Sequence, residues 1–467
     1  MEVHRLAVAG GEAVIARAVG GRVSQEWLAT SRFADVARLA KAILSLGEDA
    51  DALYHLGWAR QATGRPAEAL SAYEQALDLY RAAGNRGNEA TTLNNIGLVY
   101  QGLGRPQQAL DYFRQALPTM RAAGNRGNEA TTLNNIGLVY RVLGQPQQAL
   151  DYFRQALPIH REIVDRAGEA RTLNNIGSLY QGWGQLRQAL DYYQQTLSIA
   201  RKIGERAGEA TALNNIGVAY EKLGQPQQAL DCHQQALPIR REVGDRAGEA
   251  TTLNNIGHVY QGLGQPQQAL DYYQQTLSIA REVGERAGEA TTLSNIGLVY
   301  QGLGQPQQAL NYSRQALPIQ REIGDRAGEA TTLSNIGLVY QGLGQPQQAL
   351  NYSRQALPIQ REIGDRAGEA VTRYNLAMIY RGQGDLGRAV AELEQVVELD
   401  RQVQRPDLAS DTAMLERVRQ EHAEFDPELD SDESARPGRT ADQRTSAEDG
   451  NALGWVKRVL RARRKKA

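Results

Sequence analysis

The chain has 467 residues, with 52 Lys and Arg set against 53 Asp and Glu, and a single cysteine, Cys232. That balance points to neither nucleic acid nor a membrane surface. The lone thiol excludes an internal disulfide framework and suits a reducing compartment, and no apolar run is long enough to cross a bilayer. A soluble, cytoplasmic protein without a transmembrane segment is expected.

The first segment, residues 1–49, contains apolar stretches, but Gly10-Gly11-Glu12 interrupts them before a signal-like apolar core can form. Residues 31–46 read as a helix, and the whole segment as a degenerate N-terminal helical cap. From residue 50 the chain repeats itself every 40 residues: Asn95-Ile96-Gly97, Asn135-Ile136-Gly137 and so on to Asn335-Ile336-Gly337, flanked by weaker copies at His55-Leu56-Gly57 and Asn375-Leu376-Ala377. Residues 291–330 and 331–370 are identical. A period of this size signals a stacked array in which each unit buries its apolar face against its neighbours.

Within one copy, Leu93, Ile96, Tyr100 and Leu103 fall on helical spacing and predict one apolar stripe with Gly97 beside it, while Leu98 and Val99 add apolar surface on another side. Gly104 is placed to cap this helix and Pro106 to open a second. The second helix carries Ala109, Leu110, Phe113, Ala116 and Leu117, and Gly124 stops it. Asn125, or Asp165 and Asp245 in later copies, is suited to N-cap the next helix. Each unit therefore reads as two antiparallel helices. Pro118, Pro158, Pro238, Pro318 and Pro358 lie inside the second helix, where a missing N–H predicts a kink or a shortened helix; Ser198 and Ser278 replace the proline in copies expected to be straighter.

The order Leu93, Ile96-Gly97, Tyr100, Ala109, Phe113, Ala116 resembles the tetratricopeptide repeat signature, over about three quarters of the chain. The family's usual period is 34 residues; the 40 here is similar to the longer repeats of kinesin light chains. The resemblance implies an all-α fold, a tetratricopeptide-repeat superhelical solenoid of antiparallel helix pairs, with nine 40-residue units over residues 50–400. Beyond them, 401–424 read as a C-terminal capping helix with Leu408, Met414, Leu415 and Val418, and 425–451 as a disordered linker poor in apolar residues. Residues 452–467 form a basic amphipathic tail, suited either to an anionic partner or to solvent.

The resemblance further implies that the first helices line a concave wall. Two columns then face a partner. The asparagines Asn95, Asn135, Asn175, Asn215, Asn255, Asn295, Asn335 and Asn375 carry a carboxamide that donates and accepts as a peptide bond does, and in the family such an asparagine holds an extended peptide; asparagine equally suits packing between helices. The second column runs through Leu98, Leu138, Val218, His258, Leu298 and Leu338 and is mostly apolar, as a docking stripe or as a surface half covered by the adjacent helix. Arg171, Ser178, Glu221, Lys222 and His258 break the pattern in the middle copies, giving a polar central section.

Reaction chemistry is not in view. The six histidines have no metal-ligand spacing, and Cys232 and His233 diverge by about 100° on a helix. His233 stands in the column of Phe113 and Phe153, a packing position. The recurring Gly-Asp-Arg-Ala-Gly-Glu lacks the strand and the Lys-Ser/Thr of a phosphate loop and reads as a helix–helix turn. The expectation is a non-enzymatic scaffold, without cofactor, metal or small-molecule substrate, that binds a protein or peptide partner in its groove. The alternative is a regulator whose superhelix changes pitch on binding a peptide, since such repeats resemble bacterial peptide-sensing regulators.

Overall fold

The computed structural model describes residues 2–425; the linker that continues to 451 and the basic tail at 452–467 lie outside the described residues. Among the described residues there are 22 helices and no strand. The chain divides into two units, residues 1–219 and residues 220–467.

Between Ala50 and Val403 the helices follow one another through turns of two or three residues in one pattern. The helix Arg86–Gly102 begins at Asn85, whose side chain accepts a hydrogen bond from the Asn88 N–H at 3.2 Å. It ends when Gly104 takes φ +68°, a left-handed conformation that costs glycine nothing. There the Gly104 N–H donates to the Gln101 carbonyl at 3.1 Å and the Arg105 N–H to the Tyr100 carbonyl at 2.9 Å, closing the last turn as a Schellman motif. Pro106 then opens Pro106–Ala122 at its first position.

Two expectations change. Leu103 is the C-cap rather than part of the buried stripe and is 40% exposed, because the helix stops at Gly102 and the stripe ends with Tyr100. The interior prolines do not shorten the second helices: Pro106–Ala122 runs on past Pro118, one residue short of the proline-free Pro266–Val283.

The two helices of a pair meet where a glycine faces a ring. A Cβ on Gly97 would lie 2.6 Å from the Phe113 ring, and one on Gly137 would lie 2.5 Å from that of Phe153. Phe113, Phe153, Tyr73 and Tyr273 are fully enclosed at this contact. Successive pairs are joined by a second device, absent from the sequence reading. In the first helices from Arg86–Gly102 onward a buried glutamate is held by two arginines, one from the end of the preceding helix and one from its own first turn. Arg161 Nε reaches Glu169 Oε1 at 2.8 Å and Arg166 Nη1 reaches Oε2 at 2.7 Å. The same clamp recurs at Glu89, Glu129, Glu209, Glu249, Glu289 and Glu329. Burial works to raise the Glu89, Glu169 and Glu289 carboxyls, but hydrogen bonds from the paired arginines outweigh it and hold them below the ordinary 4.5.

At the N-terminal end Phe33–Leu44 packs on Ala13–Ala29, where Gly20 faces Ile43. At the other end Leu408–Phe425 lies on Leu386–Val403 with Leu415 and Val418 buried, and Arg381 grips Glu421 through two bonds of 2.7 and 2.5 Å.

Three outcomes follow for stability. Gly137→Ala drives a methyl into the Phe153 ring and should cost roughly 1–3 kcal/mol despite alanine's better helix propensity. Val164 occupies, at φ +58°, the left-handed place that Gly124 and Gly204 fill elsewhere; Val164→Gly should stabilise by about 1 kcal/mol, read as a rise in denaturation midpoint. Because Glu89, Glu169 and Glu289 have a folded pKa below the unfolded one, their contribution is complete above about 4.5 and is lost as pH falls through the lowered values. Thermal midpoints should be flat from neutral pH to about pH 5.5 and drop steeply below pH 4.5, and Glu169→Gln should flatten that drop.

Candidate functional site

Within each unit the first helices of successive pairs pack on one another, Arg86–Gly102 on Arg126–Val142 in one and Arg286–Gly302 on Arg326–Gly342 in the other. Successive second helices, such as Pro106–Ala122 and Pro146–Glu162, are in weaker contact. The first helices are therefore the more closely packed wall in each stack, and the two columns singled out in the sequence lie on them.

The asparagine column runs along the seam between first helices. Asn135 Nδ2 donates to Asn94 Oδ1 of the preceding copy at 3.3 Å, Asn175 to Asn134 at 3.0 Å, Asn215 to Asn174 at 2.8 Å and Asn295 to Asn254 at 3.1 Å. Asn95 donates in the same way to the Tyr54 hydroxyl at 2.9 Å. Asn135 and Asn375 are buried, and Asn95, Asn175, Asn215, Asn255, Asn295 and Asn335 half-buried. Each bond takes one N–H and leaves the column's own carboxamide oxygen. The ladder stops where Ser294 and Ser334 replace the acceptor: the Asn335 and Asn375 amides have no hydrogen bond among the described residues, and Ser294 and Ser334 turn to Thr332 and Thr372 instead.

Leu98, Leu138, Val218, Leu298 and Leu338 are half-exposed, and His258 exposed, so this column reaches the surface in both units. In the polar middle, Arg141 donates to Ser178 at 3.3 Å. His258 Nδ1 meets Glu221 Oε1 of the preceding copy, which brings together two residues read separately in the sequence. Arg171 and Lys222 are each exposed on a first helix.

Two groups of residues escaped the sequence reading. Tyr54 stands in the acceptor column, where its hydroxyl replaces a carboxamide. Tyr73, Tyr193 and Tyr273 donate across a pair to Gln61 at 3.1 Å, Gln181 at 3.2 Å and Gln261 at 2.9 Å. The recurring spacing of 12 residues between glutamine and tyrosine was the available signal.

Titratable groups outside this wall serve packing. His233 is fully enclosed in the ring column, and burial pushes its imidazole down to about 4 against the pull of Glu221. Burial, with help from Asp231, pushes the Cys232 thiol up to about 11, far from a nucleophile's range. No group of three or more His, Cys, Asp or Glu able to hold a metal ion occurs among the described residues, and none of their helices is long and apolar enough to cross a membrane.

The chain belongs to the tetratricopeptide repeat family, whose profile matches residues 48–122 and, in overlapping segments, 128–402. No curated protein sequence matches it. Among solved structures it is similar to the apo form of the quorum sensor NprR from B. thuringiensis, at 19% identity over 74% of this chain and 99% of that one, with a TM-score of 0.52. It is also similar to the Rap protein complexed with competence and sporulation factor, at 17% identity over 74% and 98%, with a TM-score of 0.53. A signal transduction ATPase with a tetratricopeptide repeat sensor from Pyrococcus horikoshii matches at 16% identity over 82% of this chain and 57% of that one, with a TM-score of 0.57. At these identities the likeness is one of fold.

The ladder makes its members unequal. Asn175→Ala removes a donor from Asn134 and should cost about 0.5–1.5 kcal/mol. Asn335→Ala breaks no bond and should stay within about 0.5 kcal/mol of the parent in chemical denaturation.

Proposed function

On this tetratricopeptide repeat framework we propose a protein-interaction scaffold, without catalytic activity of its own, that holds an extended peptide or a partner helix along the first-helix wall. One observation carries the reading: a half-exposed aliphatic column, Leu98 to Leu338, recurs on the first helices beside carboxamides that keep an acceptor for a peptide backbone. Its leucines are held on rigid helices, so a partner pays little to order them. In the second unit Lys222 and the Glu221–His258 pair give the wall a section that selects charge rather than apolar contact.

A second reading rests on the likeness to the quorum sensor NprR and to the Rap protein complexed with competence and sporulation factor. In it, a peptide on this wall changes the pitch of the stack and thereby regulates an attached partner.

Photo-crosslinking from the full chain tests the first reading. A benzophenone at Leu298 or Leu338 should capture a partner that one at the exposed Gln308, on a second helix, does not. Leu298→Asp with Leu338→Asp should reduce capture at least tenfold while leaving the melting curve in place; equal capture from both faces overturns the reading. For the second, small-angle scattering with saturating partner peptide should show a changed radius of gyration, and unchanged dimensions reject it.

A further inference from the structure

In two copies that keep the glycine of the first helix, the ring that separates the two helices of a pair is missing. Where Phe113, Phe153 and Tyr273 are completely enclosed, the same column carries Ser313 and Ser353. Nothing grows to take the vacated place. Residues 293–317 differ from 93–117 at four positions only: Asn94 becomes Ser294, Arg105 becomes Gln305, Asp111 becomes Asn311 and Phe113 becomes Ser313. None of these adds volume, and Gln305 and Asn311 are exposed. The first helix of the following copy differs from its counterpart in the same stretch, 131–140 against 331–340, by Asn134 becoming Ser334 alone.

The contacts agree with an unfilled slot. A Cβ on Gly97 would meet three atoms of the Phe113 ring at 2.6 to 3.0 Å, whereas one on Gly297 would meet Ser313 Oγ at 3.0 Å and next the backbone oxygen of Ala309 at 3.3 Å. Gly337 and Ser353 repeat this arrangement. Ser313 also keeps 6% of its surface accessible, and Ser353 3%, in a column where the rings keep none.

The protein itself shows what the slot accepts. In the preceding copy Tyr273 lays its ring on Gly257 and donates its hydroxyl to Gln261 Oε1 at 2.9 Å. The equivalent glutamines, Gln301 and Gln341, are present and half-exposed on the first helices, and their side-chain amides have no hydrogen bond among the described residues. A slot set in the core of Leu310, Leu317, Leu333 and Ile336, with one acceptor at its mouth, favours a flat apolar group ending in a donor.

We propose that the spaces beside Ser313 and Ser353 are two equivalent binding sites for a phenol, its ring seated on Gly297 or Gly337 and its hydroxyl donated to Gln301 or Gln341. The ligand supplies in trans the side chain that Tyr273 supplies in cis. This inference stands apart from the groove reading: a free phenol can bind with no peptide on the wall, and the wall can hold a partner with both slots filled.

The test uses the full chain and p-cresol, which is the tyrosine side chain without its backbone, followed by calorimetry and ligand-observed NMR. Saturable binding at two sites per chain, with a raised melting temperature, is expected. Ser313→Tyr with Ser353→Tyr should abolish both effects and raise the melting temperature unliganded. Tyr273→Ser should add a third site, which keeps the test decisive if the filled variant folds poorly. Gln301→Leu with Gln341→Leu should weaken p-cresol about tenfold while leaving toluene unchanged. Binding of p-cresol but not of Gly-Tyr-Gly assigns the sites to a free phenol, and binding of both assigns them to a tyrosyl side chain. No saturable binding of p-cresol up to its solubility limit, or binding undiminished in the folded filled variant, overturns the proposal.

Discussion

Everything in each stack rests on how closely two helices approach at the glycine–ring contact. With a Cβ on Gly137 only 2.5 Å from the Phe153 ring, no other residue fits there without displacing the ring. The approach is closer than ordinary side-chain ridges would permit, and it fixes the separation and angle of the two helices within a copy. The ring in turn faces the next first helix: Tyr73 shares its core with Leu93 and Ile96, and Tyr273 with Leu293 and Ile296. Contact within the pair thus sets the rise to the following pair, and the rise sets which residues reach the first-helix wall. Leu98 and Leu138 remain half-exposed because the neighbouring first helix covers one side of each and no more.

The glutamate clamp solves a different problem, that of copying. Arg161, Arg166 and Glu169 lie within nine consecutive residues, so each copy brings its complete junction with it. A duplication adds a unit and its joint in one step. The asparagine seam is built otherwise: donor and acceptor are 41 residues apart, in different copies, so a change in one unit strands a group in the next. Asn335 is the visible case, left without its acceptor because Ser294 stands in the copy before it. Local and cross-copy bonds thereby divide the work, the first conferring modularity and the second making neighbours distinguishable.

Much of this was legible in the residues. Helix starts and stops followed from Asn85, Gly104 and Pro106, whose roles depend on backbone conformation alone, and the 3.6-residue spacing of Leu93, Ile96 and Tyr100 named the buried face. Leu103 was misjudged because spacing carries on past a helix end that only the left-handed glycine defines. The clamp was hidden for another reason. Its glutamate sits in a turn-like segment whose composition reads as solvated, and three charges so close in sequence usually remain in water; that they close on one another needs the preceding helix to fold back, which spacing does not state. Of the candidate wall, the two columns were legible as columns. Their inequality was not, because a hydrogen bond from Asn175 to Asn134 depends on the offset between helices rather than on either sequence.

The identical copies at 291–370 bring these threads together. They differ from the earlier copies chiefly at Ser294 and Ser313, and both changes subtract from what holds the stack: one removes a seam acceptor, the other a ring. Stability in such an array is approximately a sum over units and their joints, so these copies must draw relatively more on the clamp at Glu329, with Arg321 at 2.8 Å and Arg326 at 2.6 Å. What is subtracted from the interior reappears on the wall. Among the described residues the Asn335, Gln301 and Gln341 amides have no hydrogen bond, beside the half-exposed Leu298 and Leu338. Binding groups in a protein are those the fold does not consume, and in this chain the fold consumes least where the sequence has been copied most exactly. The duplicated copies, rather than the charged middle, are therefore where affinity for an apolar or aromatic ligand should concentrate, while Lys222 and the Glu221–His258 pair add discrimination by charge.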